Sequence, residues 1–201
     1  MPKVGQEPIR RAALVSATIS EIGRAGSLDV TVGQIAKTAG MSTALAHYYF
    51  DSKSALFLAA MRHVLREFGG SVRRNLKQAD GPRERLDGII DASLDADQFS
   101  EHVVCAWLVF YVEAQRSQGA ARLLRIYTRR LHSNLMHELK QLTNAPTAER
   151  VAQGAAAMID GIYLRVALHD AQLDLRNADG LVRDYLDLAL AGPGAKIRGI
   201  T

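Results

Sequence analysis

The sequence is poor in the features that mark secreted and membrane-spanning proteins. It has one cysteine, Cys105, which excludes an intramolecular disulfide and leads us to expect a reducing, cytoplasmic location. No apolar run approaches the roughly 18 residues that a membrane span needs. The first residues are polar and basic, which does not fit a secretory signal. With 16 glycines and 5 prolines in 201 residues, the chain has a globular composition.

Charge is unevenly distributed along the chain. Residues 1–78 contain 11 Lys and Arg against 5 Asp and Glu, whereas residues 79–201 contain 14 against 16. The basic excess therefore lies wholly in the first part, as expected if that part contacts a polyanion. A basic segment of this size can also be merely solvated, so charge alone leaves nucleic-acid binding open.

The spacing of apolar residues predicts an all-α fold of about nine helices, because strand patterns are nearly absent. Three helices are expected to start near Pro8, after Thr31 and after Ser42. A long fourth helix should follow Asp51 or Ser52, with an interruption at the Gly69-Gly70 pair. The other predicted segments are helices at 83–96, 99–117, 119–143, 146–171 and 178–191, followed by a flexible tail at 192–201.

Residues 31–50 have the pattern of two short helices joined by a tight turn. Ile35 and Ala36 face inward, Gly40 suits a positive φ at the corner, and Ser42 caps the second helix. Any one of these residues would fit an ordinary helical hairpin. The ordered set favours a helix-turn-helix, in which the first turn of the second helix faces base edges in the major groove.

The ordered set continues past the second helix. Thr31, Ile35-Ala36, Ala39-Gly40, Ser42, Tyr49-Phe50 and Lys53 stand in one order and spacing. In this the chain resembles the TetR family of bacterial repressors. The resemblance implies a DNA-binding domain at 1–53, a ligand-binding and dimerisation domain at 54–191, and binding to a palindromic operator.

The predicted contacts with DNA divide into two kinds. Hydroxyls at helix N-termini and basic side chains suit phosphate oxygens, and the resemblance adds two further phosphate contacts. The exposed start of the second helix supplies candidates for base edges. The phosphate set is Thr31, Ser42, Tyr49 and Lys53, with Lys3, Arg10, Arg11 and Lys37 adding general affinity; the base-edge set is Thr43, Ala44, His47 and Tyr48.

Two aromatic features stand out in the later helices. Trp107, Phe110 and Tyr111 lie at i, i+3 and i+4 on one helical face, and Tyr163 follows Asp160 by three residues. Aromatic rings with a carboxylate are what a quaternary ammonium ligand requires. An aromatic stripe is also typical of a core, and spacing alone favours that interpretation.

Longer segments are similar to one branch of the TetR family, the choline-responsive BetI-type repressors. They include residues 94–99, 106–108, 125–127, 131–135 and 157–165. The resemblance implies a repressor of glycine-betaine synthesis from choline, released from DNA by choline, with Trp107, Phe110, Tyr111, Asp160 and Tyr163 as the ligand-binding set. The alternative is a TetR-type regulator of another pathway that responds to a different small molecule or a protein partner.

The last two helices are expected to form a homodimer interface, as two-fold symmetry is the natural counterpart of a palindromic operator. Their apolar pattern fits burial within one subunit equally well. Each subunit would then carry one reading head, the helix-turn-helix at residues 31–50. The ligand would shift the population of dimers towards a form in which the spacing of the two reading heads no longer matches the half-sites, and the helix from Lys53 to Gln78 would transmit this change. The interface set is Val151, Ala155, Met158, Ile159, Ile162 and Val166 on one helix and Leu181, Tyr185 and Leu188 on the other.

Signatures of catalysis and of cofactors are weak. Residues 40–44 loosely resemble a nucleophile elbow, but the strand before it and the final glycine are missing. His102 with Cys105, and His132 with His137, do not have the spacing of a metal set. No phosphate-binding glycine loop occurs. The sequence therefore predicts a protein that is not an enzyme and that has no cofactor, no metal and no membrane partner.

Overall fold

A computed structural model describes residues 6–94, 100–168 and 177–191. In these ranges the regular elements are nine α-helices, which confirms the predicted fold class. They are α1 (Gln6–Ala25), α2 (Val32–Thr38), α3 (Thr43–Tyr49), α4 (Lys53–Gln78), α5 (Pro82–Ser93), α6 (Glu101–Glu113), α7 (Gln118–Leu142), α8 (Ala145–Ala167) and α9 (Ala178–Leu190). The predicted tail at 192–201 and Lys3 lie outside the described residues. None of the described helices is long and apolar enough to cross a bilayer.

The chain divides into two compact units. The first contains residues 1–67 and 100–124, and the second contains residues 68–99 and 125–201. The first unit thus joins α1, α2 and α3 to the start of α4, to α6 and to the first turns of α7. The predicted functional boundary at residue 53 stays a prediction.

The first unit is built on close packing of α1 against α6. Gly23 of α1 is buried at this contact. A Cβ atom placed there would overlap the backbone Cα of His102 and would lie 2.6 Å from its Cβ. Glycine therefore allows these two helices to approach at this point. The fully buried Leu14 of α1, Leu56 of α4 and Phe110 of α6 form part of the core of this unit.

The second unit packs α9 against both α5 and α8. Its core includes Leu86, Leu135 and Ile159, all fully buried. Two ion pairs join α5 to α9, Arg83 with Asp187 and Arg183 with Asp91. Apolar burial and paired charges together hold the last helix in place.

Two expectations from the sequence were wrong. The Gly69-Gly70 pair does not interrupt α4, which continues to Gln78. Phe68 and Val72 on either side of the pair are buried, and their burial outweighs the cost of about 1 kcal/mol that each glycine adds in a helix interior. The second error concerns the interface residues on α8. Four of them are already buried by their own chain and are not free to contact a partner: Val151, Ala155, Ile159 and Ile162.

Candidate nucleic-acid interface

Helix α2 begins with a complete capping box. The Thr31 hydroxyl accepts a hydrogen bond from the Gln34 N–H at 3.1 Å, and the Gln34 side-chain oxygen accepts one from the Thr31 N–H at 2.7 Å. The hydroxyl of Thr31 also donates to the Gln34 side-chain oxygen at 2.9 Å. This arrangement satisfies donors that a helix start leaves open. It confirms the predicted start of α2 and places Thr31 at the surface.

The turn between α2 and α3 has the hydrogen bonds of a Schellman motif. The N–H of Gly40 donates to the Lys37 carbonyl at 3.0 Å, and the N–H of Met41 donates to the Ala36 carbonyl at 2.8 Å. Gly40 has a φ of 67°, in the left-handed region that favours glycine. The predicted positive φ at this corner is therefore confirmed.

Helix α3 starts at its predicted cap and exposes the predicted base-edge residues to solvent. The Ser42 hydroxyl accepts from the Leu45 N–H at 3.2 Å. Ala46 is buried, as α3 packs against α1 and α2. All four residues of the predicted base-edge set are exposed, and Tyr48 is the most prominent large apolar one, with 71% of its surface accessible.

The predicted phosphate contacts differ in exposure. Lys37 and Lys53 are exposed, and the Lys53 ammonium donates to the Leu28 carbonyl at 2.7 Å. Tyr49, in contrast, is only 6% exposed, and its ring meets that of Tyr48 edge to face at 5.2 Å. A phosphate contact by Tyr49 would involve only a small part of the side chain. All of these DNA contacts stay predictions.

Two residues hold the reading helices on α1 in ways that the sequence did not reveal. Arg11 donates to the carbonyl of Tyr49, the last residue of α3, at 2.7 Å. The same guanidinium lies 4.5 Å from the centre of the Phe50 ring, a cation–π contact. Arg11 was expected only to add general affinity for DNA, and its structure shows a tether between α1 and α3.

Glu21 is the second of these residues. It is buried on α1, where one carboxylate oxygen accepts from the Thr38 hydroxyl of α2 at 2.8 Å and the other pairs with Arg24 at 2.5 Å. Hydrogen bonds from Arg24 and then from Thr38 lower the pKa of Glu21 below its ordinary value. An acidic residue beside Thr18 and Ile22 on the apolar face of α1 was the signal that could have identified it.

The predicted ligand set falls into two groups, one in each unit. In the first unit, Trp107 and Phe110 are buried, with ring centres 5.7 Å apart, and the ring of Tyr111 lies 5.8 Å from that of Trp107. The Phe57 ring of α4 meets Phe110 at 6.4 Å. These contacts make the aromatic group part of a packed cluster.

In the second unit, the predicted residues Asp160 and Tyr163 are joined by Tyr127, which was not predicted from the sequence. Tyr163 is buried and its hydroxyl donates to the Ser93 carbonyl at 2.7 Å, whereas Asp160 is exposed. Tyr127 is also buried, 5.4 Å from Phe68 between ring centres. Burial, and then the charges of Asp160 and Tyr163, raise the pKa of Tyr127.

Both parts of the chain match models of known protein families. Residues 14–60 match the model of bacterial regulatory proteins of the tetR family, and residues 82–191 match that of the BetI-type transcriptional repressor C-terminal domain. The chain belongs to the TetR family, in its BetI-type branch. The first match covers the helix-turn-helix, and the second covers α5 to α9 of the predicted ligand domain.

Individual relatives agree with this. The chain is 53% identical over 192 residues to the HTH-type transcriptional regulator BetI of Brucella suis biovar 1, covering 96% of this chain and 97% of that protein. It is 52% identical over 190 residues to the BetI of Agrobacterium fabrum, covering 94% and 92%. A transcriptional regulator from Saccharomonospora viridis, solved in complex with choline, has the same fold, with a TM-score of 0.78, 20% identity, and 93% and 98% coverage.

Membership of the TetR family settles the broad function. The chain is a DNA-binding transcriptional repressor of the helix-turn-helix type. Its relatives are transcriptional regulators and not enzymes, which confirms that part of the prediction.

Proposed function

We propose that this TetR-family repressor controls the conversion of choline to glycine betaine and leaves its operator when it binds choline or a related quaternary amine. The observation that carries the proposal is the match of residues 82–191 to the BetI-type C-terminal domain, since this part lies outside the reading head. The choline complex of the Saccharomonospora viridis regulator shows that a protein of this fold can hold that ligand.

The chemistry of the second unit suits a quaternary ammonium ion. Such an ion carries a positive charge and has no N–H donor, so it binds through aromatic faces and a nearby carboxylate. Tyr127 and Tyr163 are the proposed aromatic rings and Asp160 is the proposed carboxylate, and all three belong to the second unit. Trp107, Phe110 and Tyr111 remain part of the proposed ligand set in the first unit.

We further propose that the repressor acts in the cytoplasm as a homodimer on a palindromic operator. The exposed apolar side chains of the last two helices support the dimer. Leu181 and Leu188 belong to the interface set predicted from the sequence, and Leu164 and Leu168 replace its buried residues on α8. Leu164 and Leu168 at the end of α8 are 47% and 68% exposed, and Leu181 and Leu188 of α9 are 45% and 78% exposed. Helices α8 and α9 pack against each other, so these leucines can form one apolar patch, and such a patch is typical of an interface between copies.

The proposal is tested by operator binding with and without choline. The DNA upstream of the repressor's own gene serves as the operator, and binding is followed by fluorescence anisotropy. Choline is expected to weaken binding, because a ligand that prefers the non-matching spacing shifts the population of the dimer. The uncharged isostere 3,3-dimethylbutan-1-ol, which has carbon in place of nitrogen, is expected to have no effect.

A variant and its control test whether the carboxylate of Asp160 is needed for the choline response. Asp160→Asn should reduce the choline response, whereas Asp184→Asn, which removes an exposed charge from α9, should leave it intact. If choline leaves operator affinity unchanged at saturation, the choline response is wrong while DNA binding stands. If the uncharged isostere works equally well, the ligand is not recognised as a cation.

A further inference from the structure

A basic cleft lies in the first unit between α1 and α4. Its volume is about 340 Å³, within the range typical of small-molecule sites. Arg11 of α1 and Arg62 and Arg66 of α4 line it, with His63 beside them. None of the described residues that line the cleft is acidic. Three guanidinium groups therefore surround one concave space without a carboxylate inside it.

Two acidic side chains form long ion pairs at the edge of the cleft. Glu7 reaches Arg11 only at 3.9 Å and Glu67 reaches His63 only at 4.0 Å, and neither glutamate lines the cleft. Arg62 and Arg66 are exposed. Because Arg62 and Arg66 are four residues apart on one helix, their side chains project from the same face. An anion in the cleft would relieve the mutual repulsion of these groups.

The rest of the lining is apolar. Val15 of α1, Phe50 after α3 and Ala59 of α4 form part of the wall. Arg11 is fixed there by its bond to the Tyr49 carbonyl and by the face of Phe50, so one of the three cations is already oriented. A guanidinium has five N–H donors in a fork that matches a carboxylate, and Arg11 uses only some of them within the protein.

On α4 the arginines of the cleft lie far from Lys53, the predicted DNA contact at the start of that helix, whereas Arg11 on the α1 side is also one of the residues expected to add general affinity for DNA. Arg62 and Arg66 lie nine and thirteen residues beyond Lys53, which is about 14 Å and 20 Å along the helix axis. A phosphate held by Lys53 is therefore out of reach of both arginines. The apolar wall makes no favourable contact with a phosphodiester group, whereas it would cover the hydrocarbon part of an organic acid.

We propose that this cleft binds a small organic carboxylate with an apolar body, as a second ligand site separate from that for the quaternary amine. The carboxylate takes the free N–H groups of Arg11, Arg62 and Arg66, and the apolar body lies against Phe50 and Val15. Since Arg11 also holds the end of α3, occupancy of the cleft stabilises the reading head. The site does not depend on the response to choline.

The test uses naphthalene-2-carboxylate as the probe and the full-length chain. Isothermal titration calorimetry at fixed ionic strength should show one saturable site per chain. Arg62→Gln with Arg66→Gln should weaken binding about tenfold or more, as expected from the loss of two charged contacts. The matched control is Arg73→Gln with Arg74→Gln, which removes two exposed arginines of the same helix outside the cleft and should keep the affinity.

Two further ligands separate charge from apolar contact. The uncharged 2-naphthamide and inorganic phosphate should each bind at least about tenfold more weakly than the probe. The amide lacks the negative charge that the arginines bind, and phosphate lacks an apolar body to contact the wall. Equal binding of phosphate would show that the apolar wall contributes nothing and would overturn the proposal. Absence of saturable binding, or an equal loss in the two arginine variants, would overturn it as well.

Operator DNA gives the remaining arm. The Arg62→Gln, Arg66→Gln variant should bind operator with an unchanged dependence on salt, and this also shows that it is folded. A fall in the salt slope by about two would assign both arginines to DNA phosphates and reject the site. The choline response is measured on the same variant and should persist, so that failure of the cleft and failure of the choline proposal are separate results.

Discussion

Lys53, at the start of α4, is hydrogen-bonded within the protein and is also a predicted contact with DNA. Its ammonium donates to the Leu28 carbonyl, which ties α4 to the segment before α2. An ammonium has three donors, so the same group can still meet a phosphate. A single side chain can thus position the reading head and contribute to its affinity for DNA.

Replacing Lys53 with alanine should weaken binding to all DNA sequences and lower the salt slope by about one, since one phosphate contact is lost. The slope is measured from operator affinity at several salt concentrations. Lys77→Ala, in the last turn of α4, is the control and should keep the slope. Reduced affinity at an unchanged slope would limit Lys53 to its bond with Leu28.

Gly154 of α8 is a position at which any side chain would collide with α9. A Cβ there would overlap the Tyr185 hydroxyl and would lie 2.6 Å from the ring carbon that carries it. The absence of a side chain at this position permits close approach of the two helices. In the structure that approach is made at Gly154 by a tyrosine of the same chain.

Gly154→Ala should therefore lower the free energy of unfolding by about 1–3 kcal/mol, the usual cost of overpacking. Urea unfolding followed by circular dichroism measures the loss. Gly69→Ala in α4 is the control, because its Cβ would meet only the end of the flexible Arg73 side chain at 3.7 Å. That variant should gain about 0.5–1 kcal/mol. A neutral Gly154→Ala would mean that Tyr185 moves aside without cost.

At the scale of elements, a buried carboxylate joins α1 to α2. Glu21 accepts from Thr38, so the position of α2 depends on the charge state of a group on α1. Its pKa is lowered by the hydrogen bond from Arg24 and then by that from Thr38. The stabilisation is therefore complete above the ordinary pKa of 4.5 and is lost as the pH falls through the lower value of the folded state.

The wild type should consequently be more stable than Glu21→Gln near neutral pH, and this difference should shrink as the pH falls from about 5 to about 3. Unfolding free energies at a series of pH values measure the difference. Thr38→Val keeps the bond to Arg24 and should retain part of the pH dependence. A difference between wild type and Glu21→Gln that stays constant with pH would show that Glu21 acts by shape alone.

The helices themselves were largely predictable, because caps and corners are local. Thr31, Gly40 and Ser42 specify their conformations through their own backbone and side chains, and all three were placed correctly. The Gly69-Gly70 pair was misjudged because its cost of about 1 kcal/mol per residue is local, whereas the burial that offsets it comes from distant helices. Tyr127 was missed for the same reason, since Phe68 lies on another helix. For Glu21 the reason holds in part, because Thr38 lies on α2 whereas Arg24 lies on α1 itself.

At the scale of the whole molecule, the apolar pattern of α8 showed that one face is buried but not which surface covers it. The structure shows that its own chain covers Val151 and Ile159, and it leaves exposed leucines elsewhere on the last two helices. Period and hydrophobicity are identical in the two cases, so a single sequence could not separate them.

Leu164→Asp combined with Leu188→Asp should convert a dimer into monomers, as two charges would have to be buried in the interface. Light scattering coupled to size exclusion measures the mass. Operator affinity should fall about tenfold or more, because each monomer holds one half-site. Val112→Asp, at a 56% exposed position of α6, is the control and should stay dimeric. A dimer that survives both aspartates would place the interface on another surface.

The contact between Gly23 and His102 has a consequence for the evolution of this repressor. The atom that a side chain at position 23 would strike first is a backbone atom, which every residue at position 102 possesses. No change at position 102 can therefore compensate for the loss of the glycine. Descendants of this protein can leave glycine at position 23 only if α1 and α6 move apart, so a different residue there would record a change in helix spacing.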